Sequence, residues 1–206
     1  ITWFKTNRSD KRICLDVANF HRYCNIKNPT NSPDIDLWEG RGISPEDDKL
    51  EGLLKEMVLY CKKNLPIGTE VWFSEFGYDT QPPSTVLSQY AKPYGIHTSE
   101  ELQGQWILRT YLYSLSSGVD KSFMFNLCDE NSATQGYCFG SSGLLTSEST
   151  GYKKKQSWKD VDWLVRELNG WTFKKDVSID GVKVFEFRNK IWVKYFLYNI
   201  IIDPSC

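Results

Sequence analysis

One glutamate is singled out by its place in an apolar run. Glu75 lies near the end of Val71–Thr80, a segment that predicts a short buried strand broken by Gly77. If the strand alternates with period two, Glu75 shares a face with Val71 and Phe73. The carboxylate then lies at the C-terminal mouth of the strand, where barrels of parallel strands and helices carry their catalytic groups. Burying a carboxylate is costly unless it is hydrogen-bonded, so this position predicts a functional group; a solvated strand-end glutamate is the alternative.

A second set of polar side chains falls in the apolar segment Ile13–Tyr23. Asn19, His21 and Tyr23 share one face under the same alternation. A tyrosine hydroxyl beside a carboxylate can donate a hydrogen bond that keeps the carboxylate ionised and oriented. The alternative is a structural histidine and a core tyrosine with a hydrated tip.

Three helices must separate the segments that carry these groups. Each begins with residues typical of a helix N-terminus, and each of the last two is followed by a glycine that can end it. The predicted starts are Ser44-Pro45-Glu46-Asp47, Thr98-Ser99-Glu100-Glu101 and Ser157-Trp158-Lys159-Asp160, and the glycines are Gly118 and Gly170. The third helix is expected to pack through Val161, Leu164, Val165 and Leu168.

The helices alternate with apolar, strand-like segments at 13–23, 71–76 and 122–127. Such alternation predicts right-handed crossovers and a parallel sheet. After Gly170 the pattern changes to three antiparallel strands at 171–177, 182–188 and 191–198. Three parallel strands cannot close a barrel, so the chain either forms an unusual open sheet or is the C-terminal part of a larger protein, and we expect the second.

The composition argues against several classes of function. The 206 residues carry a formal net charge of −1, and the dispersed basic residues do not indicate a nucleic-acid surface. No stretch reaches about 18 apolar residues, so no membrane span is expected, and no signal sequence is visible. The six cysteines show no C-x-x-C spacing, so we expect neither a metal site nor a cofactor. Cys128 and Cys138 flank one loop and suggest a disulfide in an oxidising compartment.

The ordered set of segments resembles the clan A glycoside hydrolases. In that family, strand six of a (β/α)8 barrel ends in H-x-Y and strand seven ends in the nucleophilic glutamate, as His21-Arg22-Tyr23 and Glu75-Phe76-Gly77 are arranged here. The segment 105–129 is similar to helix seven leading into strand eight. The resemblance implies an α/β fold: residues 1–170 as the C-terminal portion of a TIM barrel, followed by a small antiparallel β domain at 171–206.

The resemblance also implies roles for individual residues. Glu75 matches the catalytic nucleophile, and Tyr23 matches the tyrosine that bonds it. The residues expected to bind substrate are His21, Tyr23, Asn19, Asn126 and Asp129. The family usually places a tryptophan at the end of strand eight, where this chain has Phe125 and Asn126.

One departure from the family pattern concerns the second carboxylate. Retaining hydrolysis needs two carboxyl groups about 5–5.5 Å apart, one as nucleophile and one as acid/base. In the family, the second belongs to an Asn-Glu pair that ends strand four, and no Asn-Glu dipeptide occurs in this sequence. The segment alone is therefore expected to be inactive and to require the N-terminal portion of the barrel.

Three hypotheses follow from the sequence. The first is a retaining glycoside hydrolase that acts on an oligosaccharide or glycoside, with the secreted or periplasmic location that is usual for the family. The second is an inert carbohydrate-binding or scaffold relative that kept the sugar pocket. The third is an unrelated α/β domain in which Glu75 only ends a strand. Proximity of Tyr23 and Glu75 separates the third hypothesis from the other two.

Overall fold

The computed structural model describes residues 6–10, 13–24, 42–80, 99–131 and 139–199. Strands and helices alternate through the first part of the chain, and three strands follow the last helix. In chain order the elements are β1 (Val17–His21), α1 (Leu50–Asn64), β2 (Glu70–Phe76), α2 (Ser99–Ser117), β3 (Lys121–Met124), a 3-10 turn (Glu148–Thr150), α3 (Gln156–Leu168), β4 (Thr172–Asp176), β5 (Val182–Arg188) and β6 (Val193–Asn199).

The first three strands form a parallel sheet in the order β1-β2-β3. Val17 pairs with Glu70, and Trp72 pairs with Lys121. The predicted alternation of parallel strands and helices is therefore confirmed, although β1 occupies only 17–21 of the predicted 13–23. Within the described residues this sheet is open, so the closed barrel stays a prediction.

The alternation predicted for β2 is wrong at its C-terminal end. Phe20 pairs with Phe73 and their rings stack, but the next residue, His21, pairs with Glu75. The extra residue on β2, Ser74, forms a β-bulge, which reverses the order of faces beyond it. Phe73 and Phe76 are buried in the core, whereas Glu75 lies on the opposite face from Phe73.

The predicted helices are observed, but the first helix begins later than its predicted N-terminus. The Ser44 hydroxyl accepts a hydrogen bond from the Asp47 backbone N–H at 3.1 Å, as a cap should. A turn follows, with Lys49 in the left-handed region, and α1 proper begins only at Leu50. The second helix matches its prediction and ends before Gly118, whose φ is +79°.

The third helix begins one residue before its predicted start and buries Leu164. Its expected packing face is wrong in one position, because Val165 is 63% exposed. Among the described residues, no helix is long and apolar enough to cross a membrane.

The last three strands form an antiparallel sheet in the order β4-β5-β6, as predicted. Their inner face carries Phe185, Phe187 and Phe196, which belong to the same core as Trp106 and Phe73. The Tyr113 ring of α2 packs edge-on against the Phe185 ring, with centroids 5.9 Å apart. The division into units 1–170 and 171–206 stays a prediction, and the described residues of the two share this core.

Candidate active site

Glu75 lies at the C-terminal end of β2, and its side chain is one-third exposed. The Tyr23 hydroxyl donates a hydrogen bond to Glu75 Oε2 at 2.9 Å. His21 Nδ1 lies 3.3 Å from the same oxygen. The structure thus brings together the glutamate, the tyrosine and the histidine that the sequence singled out.

Parallel pairing explains why these residues meet. Parallel strands present their C-terminal ends at one edge of a sheet, and the register places His21 opposite Glu75. The Arg22 N–H donates to the Glu75 carbonyl oxygen at 3.1 Å, which extends the ladder one residue beyond β1. Tyr23 follows directly and returns to the face of His21, where its hydroxyl reaches the carboxylate.

Asn19 lies one pleat below this pair on the same face of β1. Its amide Nδ2 donates to the Ser74 hydroxyl at 3.1 Å. The Ser74 hydroxyl also contacts the Phe20 carbonyl oxygen at 3.3 Å, so the bulge residue is bonded to both main chain and side chain of β1. Asn19 is therefore placed next to Glu75 along the strands.

Tyr23 is held as a hydrogen-bond donor by its surroundings. Burial raises the pKa of its hydroxyl, and the hydrogen bond to Glu75 and the negative charges of Glu75 and Asp79 raise it further. The phenol therefore stays protonated near neutral pH and donates to the carboxylate.

Aromatic packing holds the Tyr23 ring in place. The Phe139 ring lies 4.6 Å from it, centroid to centroid, and meets the Phe125 ring edge-on at 5.7 Å. Asn126, the next residue after Phe125, accepts a hydrogen bond from the Ser142 hydroxyl at 3.4 Å. Phe125 and Asn126 thus lie at the end of β3, next to the aromatic packing that holds the Tyr23 ring.

An ion pair anchors the main chain at the end of β1. The guanidinium of Arg22 makes a two-pronged contact with Asp48, and its Nε lies 2.9 Å from Asp48 Oδ2. The Asp48 side chain is only 4% exposed and belongs to the turn before α1. Because Arg22 lies between His21 and Tyr23, this contact fixes the segment that carries both site residues.

Asp129 lies in a buried cluster rather than beside an open surface. Lys155 Nζ lies 3.1 Å from its Oδ1, which also accepts the Gly143 N–H at 2.8 Å. Burial raises the pKa of Asp129 against the opposing effect of Lys155, and burial lowers the pKa of Lys155. Substrate binding by Asp129 stays a prediction. In the structure, the Asp129 carboxylate holds the main chain at Gly143.

Asp79 also lies in the site region, although it was not among the predicted site residues. It is fully buried and accepts hydrogen bonds from the backbone N–H groups of Phe139 and Ser141 at 2.9 and 3.0 Å. The signal was present in the sequence, since an acid four positions after Glu75 continues the same apolar run. A buried acid in such a run must find donors.

Within the ranges described above, no group of three or more histidine, cysteine, aspartate or glutamate side chains could hold a metal ion. Cys138, the expected disulfide partner of Cys128, lies outside the described residues, and that bond stays a prediction. What the arrangement offers chemically is a partly exposed carboxylate whose one oxygen is fixed by a tyrosine and a histidine. Such a carboxylate is suited to nucleophilic or acid/base work.

Comparison with known proteins finds a likeness in fold to a solved structure. No family model matches the sequence, and no curated protein matches it either. The fold is similar to the structure of a family 39 glycoside hydrolase from the gut symbiont Bacteroides cellulosilyticus WH2, with a TM-score of 0.55 and 18% sequence identity.

The fold of this chain is similar to part of a glycoside hydrolase. The match covers 71% of this chain and 27% of the solved one, so the chain spans about a quarter of its neighbour's length. At 18% identity the likeness concerns the fold, and function is argued from the site.

Proposed function

We propose that this chain is the C-terminal portion of a retaining glycoside hydrolase whose nucleophile is Glu75. The observation that carries the proposal is the 2.9 Å hydrogen bond from Tyr23 to Glu75 at the C-terminal edge of a parallel sheet. The fold likeness to a glycoside hydrolase supports it. The substrate class is a glycoside or oligosaccharide, and an extracytoplasmic location accords with such a substrate.

In this proposal one carboxylate oxygen is held and the other attacks. Tyr23 and His21 both contact Oε2, so Oε1 is the oxygen that bonds to the anomeric carbon. The glycosidic bond breaks as the glycosyl ester forms, and the leaving oxygen takes a proton from an acid/base group. Water then cleaves the ester and regenerates the carboxylate. Asn19 and Asn126 are proposed to lie along the sugar subsite, whereas the Asp129 carboxylate is engaged by Lys155 and Gly143.

The retaining mechanism needs an acid/base group in addition to the nucleophile. The described contacts of the Glu75 side chain are with a tyrosine and a histidine, and neither supplies the second carboxyl group that the retaining mechanism uses. We propose that it lies in an N-terminal barrel portion, so the 206-residue segment alone should show negligible turnover. Turnover of aryl glycosides by the purified segment would contradict this.

Covalent labelling tests the function directly. The complete protein is incubated with 2-deoxy-2-fluoro glycosides that carry a good leaving group. The fluorine slows both formation and hydrolysis of the glycosyl ester, and the good leaving group restores its formation, so the ester accumulates. Peptide mass spectrometry should find the label on Glu75 in the wild type and no label in Glu75→Gln. A label on Asp79 or Asp129, or turnover by Glu75→Gln at the wild-type rate, would overturn the assignment.

A second candidate function is that of an inert carbohydrate-binding relative. It is supported by the described contacts of the Glu75 side chain, which include no second carboxyl group. With Tyr23 and His21 as the described partners of the carboxylate, the site would bind a sugar without cleaving it. Calorimetric binding of oligosaccharides, lost in His21→Ala, together with no labelling of Glu75 would favour this reading. Labelling of Glu75 excludes it.

A further inference from the structure

The loop at residues 139–141 packs against Tyr23, and it is held by a buried carboxylate that takes no part in the proposed chemistry. Asp79 is 0% exposed, and it accepts three hydrogen bonds from two residues of one loop. They come from the Phe139 N–H at 2.9 Å, the Ser141 N–H at 3.0 Å and the Ser141 hydroxyl at 3.2 Å. These three hydrogen bonds join the loop to the chain just after β2.

One residue of this loop has a backbone conformation that must be stabilised by contacts with its surroundings. Phe139 has φ +67°, in the left-handed region that bulky residues rarely occupy. Strain of this kind persists only when the surroundings impose it. The hydrogen bond from the Phe139 N–H to Asp79 is one such constraint.

The consequence of this conformation is the position of the Phe139 ring. The ring packs on Tyr23 with centroids 4.6 Å apart, and Phe125 supports it from the side at 5.7 Å. Tyr23 in turn donates to Glu75 at 2.9 Å. A continuous chain of contacts therefore joins Asp79 to the carboxylate through Phe139 and Tyr23.

We infer that Asp79 is a positioning residue for the nucleophile: it fixes Phe139, and the Phe139 ring holds the Tyr23 hydroxyl against Glu75. The catalytic part of this inference rests on the proposed function, whereas the positional part concerns the geometry alone. A carboxylate suits the task because these three groups of Phe139 and Ser141 are all donors. An amide would turn its NH2 group toward one of those donors.

The other side of the same loop is held independently of Asp79. Lys155 Nζ donates to the Ser141 carbonyl oxygen at 2.9 Å and to the Thr80 hydroxyl at 3.1 Å. The Thr80 N–H also bonds the Ser141 hydroxyl at 3.0 Å. Because these bonds remain in an Asp79 variant, the loop should shift locally rather than detach.

The positional part is tested by crystal structures of the complete protein carrying Asp79→Asn or Phe139→Leu. The second variant keeps the backbone hydrogen bonds and removes the ring, and it serves if Asp79→Asn does not fold. We expect the distance from the Tyr23 hydroxyl to Glu75 Oε2 to exceed 3.5 Å, the usual limit for a hydrogen bond, in either variant. An unchanged Tyr23–Glu75 bond in the variants obtained would overturn the inference, whatever the activity of the protein.

The catalytic part is tested by the rate of labelling with the fluorinated glycoside. Small misplacements at an active site can cost up to about 100-fold, so Asp79→Asn should slow labelling by about 10- to 100-fold with little change in the half-saturating concentration. In a Tyr23→Phe background the same change should cost less than about twofold, because the two residues act as one unit. Multiplicative effects would overturn the inference.

A matched control separates positioning from loss of stability. Glu46 is a buried carboxylate between α2 and β6, bonded by the Tyr113 hydroxyl at 2.9 Å and the Tyr198 hydroxyl at 3.3 Å. Glu46→Gln should lower thermal stability and leave the labelling rate within about twofold of wild type. An equal slowing by Glu46→Gln would overturn the inference. Absence of labelling in the wild type would instead contradict the proposed function, and the Tyr23–Glu75 distance would still decide the positional part.

Discussion

The hydroxyl of Tyr23 lies 2.9 Å from Oε2 of Glu75, although 52 positions separate the two residues along the chain. The pairing of β1 with β2 brings them together, and the bulge at Ser74 turns the carboxylate to the face that Tyr23 occupies. Without that bulge, strict alternation would direct the carboxylate to the buried face of Phe73. The bulge is therefore what makes the contact available.

Replacing Tyr23 with Phe should slow the reaction without unfolding the protein. The substitution keeps the ring contact with Phe139 and removes the donor to Glu75. A hydrogen bond to a charged group contributes about 1.5–3 kcal/mol, which corresponds to about 10- to 100-fold in rate. Steady-state kinetics of the complete protein and a thermal melt measure the two effects.

The matched control for that variant is Tyr195→Phe. Tyr195 lies half-exposed on β6, and its hydroxyl bonds Glu186 at 3.3 Å. Its loss should leave turnover unchanged. Equal kinetics in the wild type and Tyr23→Phe would show that the hydrogen bond does not support the reaction.

Replacing Glu75 with Gln should abolish turnover and preserve the fold. The amide keeps the shape of the side chain and can still accept from Tyr23, but it is a poor nucleophile, so the rate should fall by several orders of magnitude. Circular dichroism and a thermal melt check folding, and aryl glycoside hydrolysis checks the rate. If the variant fails to fold, Glu75 has a structural role instead.

Two glycines should respond in opposite ways to substitution by alanine. A Cβ at Gly77 would lie 2.2 Å from the Phe125 carbonyl oxygen, so β2 and β3 cannot keep their present separation. We expect Gly77→Ala to destabilise the protein by about 1–3 kcal/mol or more. Gly52 lies exposed within α1 with nothing within 4 Å, and Gly52→Ala should stabilise by about 0.5–1 kcal/mol.

Urea unfolding of both variants measures these differences. Similar stability of Gly77→Ala and the wild type would mean that the strands can separate at this point, and the close contact would then not constrain the site.

Asp176 should make the antiparallel sheet sensitive to acid. Burial opposes its ionisation, but hydrogen bonds from Lys183 and Ser178 outweigh burial and lower its pKa below the ordinary 3.8. The folded state therefore binds this proton more weakly than the unfolded state does. Its contribution to stability is complete above the unfolded pKa and is lost as the pH falls through the folded pKa.

The measurement is the urea midpoint between about pH 5 and pH 2, a range chosen to span that pKa. The midpoint of the wild type should fall more steeply with acid than that of Asp176→Asn, which keeps an acceptor for Lys183 but cannot titrate. Asp180→Asn, at an exposed turn position, is the control and should follow the wild type. Parallel curves for the wild type and Asp176→Asn would contradict the prediction.

The sequence by itself determined the element types and their order. Helix signals at Thr98–Glu101 and Ser157–Asp160 are local, because a cap and the spacing of apolar residues act within a few turns. The same holds for the three antiparallel strands after α3, because short turns join each strand to the next. That Tyr23 and Glu75 follow or end neighbouring strands also came from the sequence, because the alternation of strands and helices predicted a parallel sheet.

Only the tertiary structure decided which face each side chain takes and which polar groups are already engaged. The bulge at Ser74 depends on the pairing of β2 with its neighbour and has no marker within its own strand. The roles of Asp79 and Asp129 depend on donors from loops far along the chain, such as Phe139 and Lys155. Periodicity describes one element at a time, whereas burial and hydrogen bonding are settled between elements.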